Sequence, residues 1–505
     1  MEKYQYTDQS LWLVRLTYAV GILSWLGVVY GYIAFFNLNP LYWFIFAPVI
    51  GIYTIYYLIS YGINLFYPGF SREVHDAKVK YFWKRFAEQY APDVDIFLPV
   101  CGESIEVLTR TFYAVANLEY TNKKVYVLDD KGDSEVEDIA TKLGFSYLSR
   151  PNKGEMKKAG NLKYGFEHSE GQFIAIFDAD FAPYPEFIKE LLPYMERQSV
   201  GIVQSPQYFQ VDNDIHDRSK LEYGAGNVQE DFYRIIQTSR DRFGGAICVG
   251  SNAVYRRSAL NKVGGTYQIE HSEDVHTGVS LVEAGYEVKY VPVILAKGLC
   301  PSDMHSFWNQ QHRWCSGSMS LLFSKRFWTN NLTWKQRLCF MSGFLYYIVH
   351  AISPLMSFQV FVLLIWHYDF INIWYAIPFF PYLLYSFVIL PFLFRLKKPK
   401  YGTALVRSVH IYSYAHAVFA AAAGKKTAWL PTGVKHTISS SYRTVIALNG
   451  LYLAVYLGLV AYCVAIGQFP VLHLNYYSVL FWIFYNVIIH FMFLYHSVKE
   501  YRASK

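Results

Sequence analysis

No two of the six cysteines stand at C-x-x-C spacing: Cys101, Cys248, Cys300, Cys315, Cys339 and Cys463 are scattered through 505 residues. That scatter argues against a zinc site or a disulfide framework and fits reduced thiols facing the cytosol. His271, His276, His305 and His312 show no metal-ligand spacing either, and a structural role is expected of them. There is no P-loop and no G-x-G-x-x-G, so neither of those phosphate cradles is available. Charged residues are scarce, 17% against 53% hydrophobic, which is too apolar for an ordinary soluble enzyme. Yet mean hydropathy is only +0.13, as expected when a sizeable polar domain is joined to membrane spans. No internal repeat or low-complexity segment stands out. No short apolar run near the start ends at a small-residue cleavage site, so no removable signal peptide is expected.

Long apolar runs are what the chain does have. Residues 13–36 and 41–66 are each sufficient to cross a hydrocarbon core of ~30 Å, and Asn37-Leu38-Asn39-Pro40 joins them without charge. A basic stretch follows, with Arg72, Lys78, Lys80, Lys84 and Arg85. From about 67 to 337 no segment is apolar enough to span. Further runs occupy 338–366, 371–394, 444–466 and 471–496, the first containing Pro354, where a kink is expected. The links at 367–370 and 467–470 hold no Lys or Arg, whereas 395–443 and the tail are basic. The positive-inside rule then gives six spans, with both termini and the polar region in the cytoplasm. The formal charge of +7 lies on that one side, so no nucleic-acid footprint is read from it.

The expected organisation is a hairpin of two spans (1–66), a polar domain (67–337), two spans (338–394), a cytoplasmic link with an interfacial helix near 401–423 (395–443), and two spans with a short tail (444–505). Within the polar domain, Asp95–Val100, Lys124–Leu128, Phe145–Leu148, Phe173–Phe177 and Gly201–Val203 read as strands. Glu103–Leu118, Glu135–Leu143, Glu155–Glu167 and Pro185–Glu196 read as helices between them. Such alternation predicts βαβ units and a mostly parallel sheet, with ligands beyond the carboxyl ends of its strands.

The polar clusters fall at those ends. Asp129-Asp130 closes a strand; carboxylates there serve as turn residues or accept a hydrogen bond from uracil N3. Asp178-Ala179-Asp180 follows an apolar strand, whose alternation puts both acids on one side, where two hard oxygen donors suit Mg²⁺ or Mn²⁺. Ser272-Glu273-Asp274 reads equally as a helix N-terminus, with Ser272 as cap. If Gln310-Gln311-His312-Arg313-Trp314 is helical, then Gln310, Arg313 and Trp314 share one face. An amide, a guanidinium fork and a flat ring suit a phosphate beside a stacked sugar; an interfacial anchor explains the Arg-Trp pair alone.

In order and in membrane layout these clusters resemble the processive family-two glycosyltransferases, the cellulose synthase and hyaluronan synthase group. The resemblance runs from near residue 12 to near 496. It implies a multi-pass α-helical membrane protein with a cytoplasmic α/β catalytic domain, GT-A-like and mostly parallel, in the plasma membrane. It implies an inverting UDP-sugar transferase, with UDP-glucose as donor and a β-glucan, cellulose or mixed (1,3;1,4), as the polymer passed through the bilayer. Asp274 is then the general base, with Glu273 beside it. Glu103, Asp129, Asp130, Lys158, Asp178, Gln310 and Arg313 serve the nucleotide, and Asp178 and Asp180 the metal. Trp314, Gly250 and Ser251 serve the acceptor, although Cys248-Val249 stands where the family often has F-C. Trp429-Leu430-Pro431-Thr432-Gly433-Val434-Lys435 resembles the gating loop, with Trp429, Thr432 and Lys435 as its working residues. The family's D-D-G is interrupted here by Lys131, and Ser272-Glu273-Asp274-Val275 replaces the G-D-D-R of hyaluronan synthases, which favours the glucan branch. A hyaluronan-type or other polysaccharide synthase, and a non-processive transferase to a lipid phosphate, are the alternatives. The sequence closes about nine residues past the sixth span, where bacterial cellulose synthases often carry a cyclic-dinucleotide domain. Activity without that ligand is expected.

Overall fold

The computed structural model describes residues 2–86, 91–209, 219–393, 401–425, 438–469 and 476–503. Helix α1 (Leu11–Phe36) is apolar but for Arg15, which donates to the Tyr67 carbonyl, and starts at Ser10, whose side chain accepts from the Leu13 amide. It returns through α2 (Ala47–Leu65). Small residues let the membrane helices approach: a Cβ at Gly21 would lie 2.6 Å from Tyr61 and Tyr385. Helix α3 (Arg72–Arg85) leads into the polar domain.

There the chain runs β1 (Val94–Val100), α4 (Ile105–Ala116), β2 (Lys123–Asp129), α5 (Ser134–Lys142), β3 (Ser146–Leu148), α6 (Lys157–Glu167) and β4 (Phe173–Ile176). All seven residues of β1 are buried, the continuous apolar pattern of a strand covered on both faces. After β4 come β5 (Phe181–Pro183), β6 (Val200–Gln204), β7 (Tyr208–Phe209), α7 (Lys220–Asp231), β8 (Ala253–Arg256), α8 (Glu273–Glu283), β9 (Glu287–Tyr290) and β10 (Ala296–Gly298). The main sheet has the order β3-β2-β1-β4-β8-β6-β9. It is parallel except where β8 runs against β4 and β6, so the sheet is mostly parallel, as expected. β5, β10 and β7 form a second, small sheet.

Two local expectations change. Strand β4 stops at Ile176, so Asp178 and Asp180 occupy the turn to β5, closed by the Phe181 amide on the Asp178 carbonyl (3.0 Å). The helix expected over Pro185–Glu196 is an α-helical turn at Phe187–Leu191 followed by a 3₁₀ segment at Leu192–Glu196, because Pro193 withholds an amide.

Helix α9 (Met304–Leu322) carries the Gln310–Trp314 segment, with Asp303 as its cap (2.8 Å to the Ser306 amide). Beyond it stand α10 (Trp334–Met356), α11 (Gln359–Trp366), a broken span at Ile373–Leu393, α12 (Tyr401–Ala422), α13 (Ser440–Ala465) and α14 (Tyr477–Ala503). The third span divides between α10 and α11, just after Pro354. Among the described residues six segments are long and apolar enough to cross a membrane, and the chain is a multi-pass membrane protein. Helix α12 is not one of them; it packs against α9, α10 and α7 under the polar domain.

Both ends of the chain are tied to the polar domain. Lys3 pairs with Glu190, which also holds His75, and the Lys3 carbonyl accepts from the Ile294 amide (2.8 Å). At the other end, Glu500 accepts from the Met304 amide.

Candidate active site

The carboxyl ends of β1, β2 and β4 and the first turns of α6 and α8 surround a cleft of about 160 Å³, with one face of α9 as a wall. Glu103, Asp130, Lys158, Asp178, Asp180, Glu273, Asp274, Gln310, Arg313 and Trp314 all line it. Residues separated by two hundred positions thus meet in one place, and Gln310, Arg313 and Trp314 do share a helix face.

Lys158 is the hub. Its ammonium pairs with Asp178, donates to the Gly250 carbonyl (2.9 Å) and lies 3.6 Å from Glu273. Burial pulls its pKa down, but Asp178 and Glu273 outweigh burial and raise it, so the lysine stays charged. The Asp178 amide donates to the Ser251 hydroxyl (2.9 Å), and Ser251 is wholly buried, so here it secures the acid turn from behind. Gly250, with φ of +72°, faces Asp274: a Cβ there would stand 2.7 Å from the carboxylate. Backbone and space both demand glycine at that position.

Asp274 accepts from the Val275 amide (2.8 Å) in the first turn of α8. Burial, and then the neighbouring Glu273, raise its pKa to about 7; Lys158 opposes them. Asp180 is raised to about 7 by burial, then by Asp178 and Glu103, with Arg313 opposing. Burial raises Glu103 as well, although its carboxylate accepts from the Cys101 amide (2.7 Å). Ser272 is not the cap expected of it. It holds a left-handed conformation (φ 53°), makes no capping bond, and packs where a Cβ on Gly317 would collide with it. The tight seat of Ser272 on Gly317 joins the start of α8 to α9.

The paired acids of β2 divide their work. Asp129 is fully buried and accepts from the Lys131 and Asp133 amides (2.8 and 2.7 Å) and from the Tyr147 hydroxyl (2.8 Å), which shapes the turn. Asp130 lines the cleft and is held by both arms of Arg150, at 2.5 and 2.9 Å. Arg150 is 1% exposed, and its fork also donates to the Lys157 carbonyl (3.2 Å). A Cβ at Gly160 would collide with its guanidinium, so the glycine of Lys158-Ala159-Gly160-Asn161 makes room for it. The sequence offered no sign of Arg150, since an arginine before a proline reads as a surface turn.

Among the described residues no three His, Cys, Asp or Glu side chains are gathered as a complete metal cage. Mg²⁺ and Mn²⁺ need less: one or two carboxylates beside waters and a diphosphate. Burial, and then the neighbouring Asp178 and Glu103, raise Asp180, and this buried group of carboxylates is one that a hard cation fits. The histidines are engaged elsewhere: His276 with Ser320 (2.9 Å) and His312 with His416 (2.8 Å). The Cys101 thiol, pushed to about 11 by burial and by Glu103, stays protonated. Trp429, Thr432 and Lys435 lie outside the described residues.

Residues 95–264 match the family described as Glycosyl transferase family 2. Cellulose synthase 1 of Komagataeibacter xylinus is 29% identical over 256 residues, 50% of this chain and 16% of that protein. The UDP-forming cellulose synthase catalytic subunit of Pseudomonas fluorescens (strain SBW25) is 28% identical over 274 residues, 52% of this chain and 36% of that one. The chain thus aligns with well under half the length of these relatives. Among solved structures, a Pyrobaculum calidifontis mannosyltransferase in complex with GDP-Man and Mn²⁺ aligns with a TM-score of 0.48 and 14% identity, covering 73% of this chain and 98% of that one.

Proposed function

We propose that this chain, whose residues 95–264 match Glycosyl transferase family 2 and which is similar to cellulose synthases, polymerises glucose from UDP-glucose into a β-glucan and passes the product through its own membrane helices. The observation that carries the reading is one cleft in which Asp178 and Asp180, Lys158 and Arg313, and the buried Asp274 all meet.

The chemistry is a single displacement. The hydroxyl of the chain's terminal sugar attacks the anomeric carbon in line, the bond from that carbon to the diphosphate oxygen breaks, and UDP departs with inversion. Asp274 takes the hydroxyl's proton, for which a carboxylate held near neutrality is suited. Lys158 and Arg313 face the charge that gathers on the leaving diphosphate. A divalent cation held by Asp178 and Asp180 would supply further neutralisation there. Trp314 offers a flat surface on which the acceptor sugar stacks.

A second cavity, about 420 Å³, lies among the membrane helices and is lined by Trp25, Tyr53, Tyr57, Tyr382 and other aromatic rings. Asn64 Oδ1, Asp231 Oδ1 and His410 Nε2 line it too, buried and without a protein partner, as befits a passage for hydroxyl-bearing material. Asp231 and Arg407 are the Asp, Glu, Lys or Arg residues among its described lining, one of each sign. Balanced charge suits a neutral glucan better than a polyanion such as hyaluronan, which would need a cationic excess. The basic 395–443 segment and the tethering of both termini to the catalytic domain support a cytoplasmic active site.

The test is direct. Purified protein given UDP-glucose and Mg²⁺ or Mn²⁺ should yield a polymer that linkage-specific β-glucanases degrade, separating cellulose from mixed (1,3;1,4) product. A requirement for UDP-GlcNAc together with UDP-glucuronate would sink the reading, and single-sugar addition to a lipid phosphate would replace it.

The pH profile follows from Asp274. Glu273 on its own helix, Lys158 from α6 and Asp178 from the turn after β4 are the charged groups acting on it. The folded pKa lies above the ordinary carboxylate value, and the base works only when ionised. Initial UDP release at saturating donor should therefore rise with pH around a midpoint near 7. A rate flat from about pH 5.5 to about pH 8.5 would contradict that role.

A further inference from the structure

Helix α14 does two things at its two ends. Toward the membrane interior its Ser478, Val479, Trp482, Tyr485, Asn486 and Ile489 line the aromatic cavity. At its other end Glu500 presents both carboxylate oxygens to the Met304 amide, at 2.9 and 3.0 Å, and the His305 backbone contributes as well. That places a carboxylate from the last span on the N-terminus of α9, beside α9's own cap Asp303. An N-terminal turn exposes unpaired amides and partial positive charge, so both carboxylates stabilise it. Below the clamp, Met492 and Phe493 share a buried cluster with Met304, Phe307 and Trp308. From Asn486 to Glu500 the helix is a continuous rod of about 21 Å. Its far end touches the passage, and its near end fixes the helix that carries Gln310, Arg313 and Trp314.

We propose that Glu500 is a positioning residue for processivity: it locks α9 to the cavity-lining helix, so that the ring of Trp314 keeps its grip on the polymer end while the passage holds the rest. The inference rests on the polymerase reading above. Losing the clamp frees the first turn of α9, and the cost appears as premature release of the chain more than as slower transfer.

The experiment uses the full chain in lipid nanodiscs with radiolabelled UDP-glucose and compares Glu500→Ala, Glu500→Gln and Tyr442→Phe with wild type. Tyr442 shares a hydrogen bond with Ser497 (2.8 Å) on the same end of α14, and its ring packs on His305 and Trp308 of α9; Tyr442→Phe keeps the ring and removes only the hydroxyl, so it controls for general loosening of that end. Mean product length should fall about three- to tenfold in Glu500→Ala, the order of effect expected when one carboxylate acceptor is removed from a helix N-terminus, while UDP release per folded molecule changes less than about twofold. Glu500→Gln keeps an acceptor oxygen and should recover most of the length; Tyr442→Phe should match wild type. A purely structural role would lower the active fraction and leave the length distribution of the product unchanged, and that outcome overturns the proposal. So does an equal shortening in Tyr442→Phe. A wild-type protein that makes no polymer fails the functional reading first, and the inference falls with it.

Discussion

Replacing Asp274 by Asn is expected to leave UDP binding near its wild-type level while sugar incorporation falls by about 10²–10⁴-fold, the usual cost of losing a general base. The expectation comes from where the carboxylate sits. Asp274 lies in the first turn of α8, against Gly250, and its pKa of about 7 is set by burial and by Glu273. Asn keeps the shape and a hydrogen-bond acceptor but cannot take a proton. Asp180 is the contrasting case, raised by burial and then by Asp178 and Glu103, with Arg313 opposing. Asp180→Asn should weaken cation-dependent UDP binding together with catalysis. Calorimetry of UDP with and without Mn²⁺, run beside incorporation from labelled donor, separates the two. Near-normal polymer from Asp274→Asn would mean that another group receives the proton.

Arg150→Ala should be the most damaging substitution away from the reacting atoms. It strands Asp130, a carboxylate otherwise held by two arms of a guanidinium inside the protein. Breaking a buried pair from one side typically costs about 3–5 kcal/mol. The damage concentrates on the loop from Arg150 to Lys158, because the same fork holds the Lys157 carbonyl. Loss of UDP affinity and a lower melting temperature are expected together. Arg150→Lys keeps the charge but not the parallel pair of bonds, and should recover only part of the affinity. Wild-type UDP binding in Arg150→Ala would show that Asp130 does not depend on its partner. Gly160→Ala provides a second route to the same end, since its methyl group would push the guanidinium off Asp130.

What the sequence revealed follows from signal length. The spans are long and strands β1, β2, β4 and β6 are strongly apolar, so their positions were legible; short β3 was placed by the helices on either side of it. β5, β7, β8, β9 and β10 have two to four residues each, too few for alternation to register. The seven-stranded order, and the antiparallel β8 within it, therefore had no local signature. The face shared by Gln310, Arg313 and Trp314 was readable because helical spacing is a local property. The supports of the site were not, because each is a partnership across distance: Arg150 with Asp130, Ser272 with Gly317, Glu500 with Met304. Asp178 and Asp180 reached the same cleft by a different route from the one alternation suggests, through a turn pinned by Ser251.

The docking of the N-terminal residues bears on how the chain is made. Lys3 bonds through its carbonyl to Ile294, and Lys297 pairs with Glu2 (2.6 Å). During translation at about 5–20 residues per second, residue 3 waits about 15–60 s for residue 294 to emerge. Helices α1 and α2 reach the bilayer while the domain that will hold their leading segment is still unsynthesised. The final strand β10 and residues 2–8 therefore arrive at one another late, after the rest of the sheet has been made, and added bulk on residues 2–8 would burden that step rather than the chemistry.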